Sequence, residues 1–280
     1  MLGWELYRLL KKTYDVYAIS SKLRAKNKSK IIYLNLKNKK FNLIKNYLYP
    51  DIIIHCAAET NVDKCQIDKK NCTKINFNSV KKLIELFPKS KFIFISSDSV
   101  YSGHQSHSEK DFAKPVNYYG ILKLKAENYI RSFSRNYFIL RTTPVGLPGI
   151  NKKVTFSSWI IDSAKKNKVL NLFCDVFFSP ISTKYLAKEI KFIIKNNLKG
   201  TYNVSSKDKI SKYDFGRKLC EKLKLNTICI KKAKISSVNL IAKRNKSQVL
   251  NCKLYQKKFK RSLPSASLTI NNISNNYLRQ

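Results

Sequence analysis

The 280-residue chain is poor in three things: glycine and proline, with 7 of each, and acidic side chains, with 17 Asp+Glu against 56 Lys+Arg. It also lacks any apolar run of the roughly 18 residues that a membrane helix needs, so no membrane partner is expected. The 7 cysteines (Cys56, Cys65, Cys72, Cys174, Cys220, Cys229, Cys252) form no Cys-x-x-Cys, and none of the 3 histidines stands at ligand spacing from a cysteine pair. A metal site is therefore not expected. The cysteines fall mostly in apolar segments and are read as reduced, core or half-buried thiols. MLGWELYRLLKK at the start has neither the long apolar stretch nor the small-residue cleavage site of a secretory signal, which points to a cytoplasmic protein.

What is present argues for a folded enzyme-sized domain. A hydrophobic content of 43% and an aromatic share of 12% exclude a disordered basic tail, which could not offset its ordering entropy. The formal charge of +39 would let any fold bind DNA or RNA by counterion release. The lysines, however, are spread over all helices and loops without a recognition helix or aromatic platform, so no specific nucleic acid is expected. Lys, Asn, Ile, Tyr and Phe are the residues of A+T-rich codons, and most of the charge is read as a background tolerated on a solvated surface.

From Tyr14 to about Pro144, β-branched runs alternate with amphipathic stretches, the pattern of βαβ units around a parallel sheet. Strands are expected at DVYAIS (15–20), IIYLNL (31–36), DIIIHCAA (51–58), KFIFISS (91–97) and YFILRTT (137–143). Helices are expected over 38–48, 71–87 and 117–133. The fourth and fifth strands are almost wholly apolar, as strands covered on both faces must be. The fold class is α/β, a Rossmann-like doubly wound parallel sheet over residues 1–150, with a smaller α/β substrate-binding lobe over 151–280. The last forty residues, rich in Lys, Asn and Ser, are expected to pack loosely.

A dinucleotide fold needs a first strand feeding a glycine-rich turn into a helix, whose N–H groups receive the pyrophosphate. The chain begins inside that unit. Met1-Leu2-Gly3-Trp4 has the form of the end of such a turn, with Gly3 its third glycine and the first strand missing; a strand and turn are expected upstream of Met1. The other reading of Gly3 is an ordinary glycine at a frayed end. After DVYAIS the usual acidic residue is replaced by Ser20, Ser21, Lys22 and Arg24, which suit a 2′-phosphate and hence NADPH, with NADH possible. A solvated basic loop is the alternative there.

Strand 91–97 ends in Ser96-Ser97-Asp98, and a Tyr-x-x-x-Lys follows at Tyr119 and Lys123. Four residues apart on a helix, these two share a face. An ammonium beside the phenol would lower its pKa and ready it to pass a proton to a carbonyl oxygen, while the Ser97 hydroxyl bonds the same oxygen. The same spacing at Tyr7/Lys11 and Tyr33/Lys37 shows how cheap it is in this composition. Only the third occurrence follows an apolar strand ending in hydroxyls and a turn-rich loop with Pro115. An ordinary exposed Tyr/Lys pair is the competing reading.

PDIIIHCAAETNVDKCQ (50–66), Asn76, FISSDSVYSG (94–103), KPVNYYGILKLKAE (114–127) and LRTT (140–143) resemble the extended short-chain dehydrogenase/reductases, specifically the dTDP-4-dehydrorhamnose reductase group. DVFFSPIS (175–182) and GTYNVSSKDKISKYDFGRKL (200–219) extend the resemblance into the second lobe. By that resemblance Ser97, Tyr119 and Lys123 form the catalytic triad, with Tyr119 and Lys123 also touching the cofactor. Ala57, Ala58 and Thr60 would lie against its ribose and pyrophosphate, and Asp98, Val100, Trp159 and Asp175 near the sugar nucleotide. Departures are the absent first strand, Asn35 where an aspartate is common, and Asn245 rather than proline after Arg244. The implied activity is NADPH-dependent reduction of a 4-keto-6-deoxy nucleotide sugar for dTDP-rhamnose or a related surface-polysaccharide precursor, by a chain that can form a homodimer. The alternative is a non-catalytic nucleotide-sugar-binding or regulatory subunit that has lost dinucleotide binding.

Overall fold

The structure, a computed structural model, describes residues 1–21, 30–36, 39–149 and 153–279. Lys22, Arg24 and Lys37 lie outside the described residues. In chain order the first half carries α1 (Leu2–Leu10), β1 (Ala18–Ser20), β2 (Ile31–Tyr33), β3 (Ile52–His55), α2 (Val62–Ile67), α3 (Lys69–Thr73), α4 (Ser79–Leu86), β4 (Lys91–Ile95), α5 (Tyr118–Phe133) and β5 (Tyr137–Arg141). After these come β6 (Pro144–Val145), α6 (Phe156–Lys165), β7 (Leu170–Phe173), β8 (Phe177–Phe178), β9 (Ile181–Ser182), α7 (Thr183–Lys195), β10 (Gly200–Asn203) and β11 (Ile210–Ser211). The chain ends with α8 (Lys212–Lys222), β12 (Ile230–Ala233), β13 (Ser247–Gln248), α9 (Lys253–Phe259) and α10 (Ala266–Leu278). No described helix is long and apolar enough to cross a membrane.

The main sheet runs β10–β5–β4–β3, all parallel, with Ile54 opposite Ile93 and Ile93 opposite Phe138. Alternation of side chains along β4 explains its continuous apolar run. Ile93 and Ile95 enter a core with Leu2, Leu6 and Leu10 of α1 and Ile190 and Ile193 of α7, whereas Phe92 and Phe94 enter one with Leu83 of α4 and Leu122 and Ile130 of α5. The sheet is thus wound on both faces, as expected. β1 pairs in parallel with β2, and these two form a ladder separate from the main sheet. The interruption falls between β1 and β3, the strands expected to flank the first strand.

A second core joins α6, α8 and α10 to β7, β8 and β12 around Phe178 and Phe215. The cores do not divide at residue 150: β10 joins the main sheet, and α7 and Tyr255 of α9 return to the first core. Nor is the chain's end loosely packed. Ala266, Ile270 and Ile273 of α10 are buried at helical spacing, and Arg261 bonds Glu189 at 2.7 Å. Asn residues between these buried positions dilute that periodicity in the sequence without weakening it. Two further expectations are corrected. Residues 39–46 form a 3₁₀ helix, and 71–87 is not one helix but α3, a π turn at Lys74–Asn78 and α4. Cys65 and Cys72, expected as thiols, form a disulfide, because consecutive helices α2 and α3 bring their Cα atoms to 5.3 Å.

Candidate active site

β4 delivers Ser96 and Ser97 to its carboxyl end, where Ser97 caps the short 3₁₀ turn Asp98–Val100 by accepting from Ser99 N–H at 3.1 Å. α5 delivers Tyr119 and Lys123. Its N-cap is Asn117, which accepts from Gly120 N–H at 2.9 Å. All of Ser97, Asp98, Tyr119 and Lys123 are buried. The Ser97 hydroxyl donates to Asp98 Oδ1 at 2.7 Å, and Ser97 and Asp98 both act electrostatically on the buried Tyr119 phenol.

Lys123 donates to Ile95 C=O at 2.7 Å and lies 5.9 Å from the Tyr119 ring centre. Burial lowers its ammonium to about 8, with Cys56 and Glu127 pulling back upward. Around it, burial and the Lys123 charge lower His55 to about 3, and burial pushes the Cys56 thiol up to about 12, so both are neutral. The expectation that Lys123 lowers the Tyr119 phenol is corrected. Burial pushes that phenol up, Ser97 pulls it down, and Asp98 pushes it up again. Desolvation outweighs a cation turned toward a backbone carbonyl, and the phenol stays protonated through neutral pH.

Glu127, one turn beyond Lys123, fixes this face of α5 to the sheet. It is fully buried, accepts from Ser96 Oγ at 2.5 Å, and takes Arg141 of β5 at 2.6 Å through Nη2. Arg141 also donates to the Tyr101 hydroxyl at 2.6 Å. Gly120 is a second residue not singled out in the sequence. A Cβ there would collide with the Ser99 carbonyl oxygen and stand 2.8 Å from Pro115 Cβ. We expect Gly120→Ala to push α5 off the Ser97 turn, destabilising the fold by roughly 1–3 kcal/mol, the range of overpacking. A denaturation midpoint equal to wild type would show that the contact relaxes freely.

The remaining expected residues sort unevenly. Ala57 and Thr60 are exposed and Ala58 is half-buried at the carboxyl end of β3, on a loop held where Asn76 bonds both Glu59 N–H (2.9 Å) and Glu59 C=O (3.0 Å). Ser20 ends β1 and Ser21 is exposed beside it. Gly3 faces Cys56, but an added Cβ would meet Cys56 Cβ at an ordinary 3.6 Å, so the close approach does not require glycine. Val100 is fully buried in the first core. Trp159 is exposed on α6, tilted against Phe156 at 6.2 Å. Asp175 is engaged away from the triad, with Ile235 N–H (2.9 Å) and Lys246 (3.7 Å), at a cavity of about 210 Å³ that Phe177 and Lys209 also line. Lys212, at the start of α8, was not foreseen, because nothing along the chain marks which of many lysines acts electrostatically on the buried Asp98.

Over residues 1–278 the chain matches the family described as RmlD substrate binding domain. It belongs to that family. The chain is 29% identical over 177 residues to the probable low-salt glycan biosynthesis reductase Agl14 of Haloferax volcanii, covering 61% of this chain and 59% of that protein. It is 28% identical over 228 residues to a dTDP-4-dehydrorhamnose reductase of Aggregatibacter actinomycetemcomitans, covering 76% and 73%. The solved structure of dTDP-4-dehydrorhamnose reductase from Bacillus anthracis, in complex with NADP, superposes with a TM-score of 0.86 at 23% identity, covering 100% of this chain and 95% of that one. At that identity it supports the α/β fold.

Proposed function

We propose that this RmlD-family chain is an NADPH-dependent reductase of a 4-keto-6-deoxy sugar carried on a nucleoside diphosphate, with NADH the second choice. The observation that carries the reading is the buried cluster of Tyr119, Ser97 and Asp98, with Ser97 bonded to Asp98 at 2.7 Å and the Lys123 ammonium 5.9 Å from the Tyr119 ring centre. The surroundings suit a nicotinamide dinucleotide. At the carboxyl end of β5, the Thr142 and Thr143 hydroxyls are buried without a partner among the described residues, and an amide or ribose would satisfy them. The N-terminal turn of α1 lies against Cys56 at the end of β3, where a Cβ on Gly3 would meet Cys56 Cβ at 3.6 Å, and a helix N-terminus at a strand's carboxyl end suits a pyrophosphate. The RmlD relatives named as reductases, and the NADP in the similar solved structure, agree with this choice.

When bound, the cofactor supplies hydride to the carbonyl carbon. Tyr119 holds the proton that the carbonyl oxygen takes up, since burial keeps its phenol protonated. Ser97 turns its hydroxyl from Asp98 to that oxygen, and Lys123 sets a positive potential beneath it. The interruption of the main sheet between β1 and β3 favours a second reading, a nucleotide-sugar-binding subunit without a dinucleotide.

One titration separates them. NADPH fluorescence is followed on adding protein at low and moderate salt, then NADPH consumption on adding dTDP-4-keto-6-deoxyglucose. Saturable binding that persists at moderate salt, followed by consumption, is the expected result. Sugar-nucleotide binding without NADPH binding would establish the second reading, and affinity for any polyanion that collapses with salt would overturn both.

A further inference from the structure

Cys65 of α2 and Cys72 of α3 are joined, and the residues beside them reach two parts of the site. The residue after each cysteine bonds Tyr118, the neighbour of Tyr119. Gln66 Oε1 accepts from the Tyr118 N–H at 3.1 Å, and the Thr73 hydroxyl meets the Tyr118 hydroxyl at 2.8 Å. On the other side stands the fully buried Asn76, whose Nδ2 lies 3.1 Å from Cys72 Sγ and 3.7 Å from Cys65 Sγ. The same amide donates to Glu59 C=O at 3.0 Å and accepts from Glu59 N–H at 2.9 Å. Glu59 lies between Ala58 and Thr60, in the loop expected against the cofactor. Cys65 Sγ stands 3.5 Å from that Glu59 carbonyl. In the disulfide this sulfur has no hydrogen to give; as a thiol it has one, and it then competes with Asn76 for the carbonyl.

We propose that Cys65 and Cys72 form a redox site that governs the reductase: the disulfide holds the loop at Glu59 and the first turn of α5 at Tyr118 in the arrangement that binds cofactor, and its reduction releases both. The proposal rests on the reductase reading for the activity that is governed. The reductant is a dithiol. One of its thiolates attacks Cys72, which lines a small cavity with Glu59, Lys64 and Asn71, whereas Cys65 is fully buried. The bond between the two cysteines breaks, and Cys65 leaves as a thiolate and takes a proton. The second thiolate of the reductant then displaces Cys72, so that two electrons and two protons reach the protein and the dithiol becomes a disulfide. α2 and α3 have 6 and 5 residues, too few to keep their register without a tie. Once uncoupled, they carry Gln66 and Thr73 away from Tyr118 independently.

The test compares the full chain oxidised with copper phenanthroline and reduced with dithiothreitol. Peptide mass mapping after iodoacetamide should find Cys65 joined to Cys72 in the first state and both alkylated in the second. NADPH fluorescence titration and NADPH oxidation on dTDP-4-keto-6-deoxyglucose are then measured in each. Reduction should weaken NADPH binding by about 5- to 150-fold, the range of coupling between linked sites, and lower turnover with it. By the same linkage, bound NADP⁺ should make the disulfide harder to reduce in a glutathione buffer by an equal factor. The double variant Cys65→Ser/Cys72→Ser should bind as the reduced protein does and ignore dithiothreitol; the wild-type comparison stands even where that variant fails to fold. Cys65 and Cys72 both alkylated after oxidation, equal constants in the two states, or a dithiothreitol effect that survives in the double variant would overturn the proposal. An oxidised wild type that neither binds NADPH nor turns over would instead sink the reductase reading. Hydrogen exchange at the Glu59 and Tyr118 amides would still decide the switch: faster exchange on reduction supports it, and equal exchange overturns it.

Discussion

Replacing Tyr119 with phenylalanine is expected to lower kcat by about 10²- to 10⁴-fold, the range that general acid catalysis supplies, with sugar-nucleotide affinity nearly unchanged. The ring stays: Tyr119 is buried in the core shared with Leu122, Ala126 and Phe94, and phenylalanine fills the same volume. Only the O–H, which burial keeps protonated, is lost. Turnover equal to wild type would remove Tyr119 from the mechanism. A second measurement bears on its partner. Lys123 supplies the positive charge beside Tyr119, since burial keeps its neighbours His55 and Cys56 neutral. Burial places its pKa at about 8, so the folded protein discharges it at lower pH than an unfolded lysine would. The wild-type pH profile should therefore decline above about pH 8, and Lys123→Met should show a low rate without that limb. A flat wild-type profile through pH 9 would mean that the Lys123 charge does not assist the step.

How much of this was legible in the chain differs from element to element. KFIFI reads as a strand buried on both faces because Phe92 and Phe94 on one side and Ile93 and Ile95 on the other are apolar, and the structure buries all five residues, Lys91 included. Tyr119 and Lys123 were legible because a four-residue spacing is a local property of a helix. Gly120 and Glu127 were not, because each owes its importance to something distant: the Ser99 carbonyl and Arg141. Residues 39–46 carry a helical pattern but wind as a 3₁₀ helix, a distinction that apolar spacing over two turns does not resolve. The end of the chain misled for a compositional reason. Asn272, Asn275 and Asn276 dominate the eye, while Ile270 and Ile273 do the packing.

Glu127→Ala should be the most destabilising single change near the site. Glu127 and Arg141 are both inside the protein, the latter 5% exposed, and Glu127 receives the guanidinium through both carboxylate oxygens. Burial alone would push Arg141 down, but the hydrogen bonds it donates to Glu127 and Tyr101 outweigh burial and raise it. Truncating Glu127 strands that cation and leaves Ser96 Oγ without its acceptor, a loss of about 3–5 kcal/mol by the measure of broken buried pairs. Denaturant midpoints would read it directly. The double change Glu127→Leu with Arg141→Met removes both charges, and it should regain much of the stability. It should not regain activity, because the Ser96–Glu127–Arg141 tie is what holds the Tyr119 and Lys123 face of α5 in register with Ser97. A stable double variant with full turnover would show that packing alone sets that register. A stable but slow one would show that the buried pair is kept for its geometry, since an apolar replacement can match its stability but cannot aim α5.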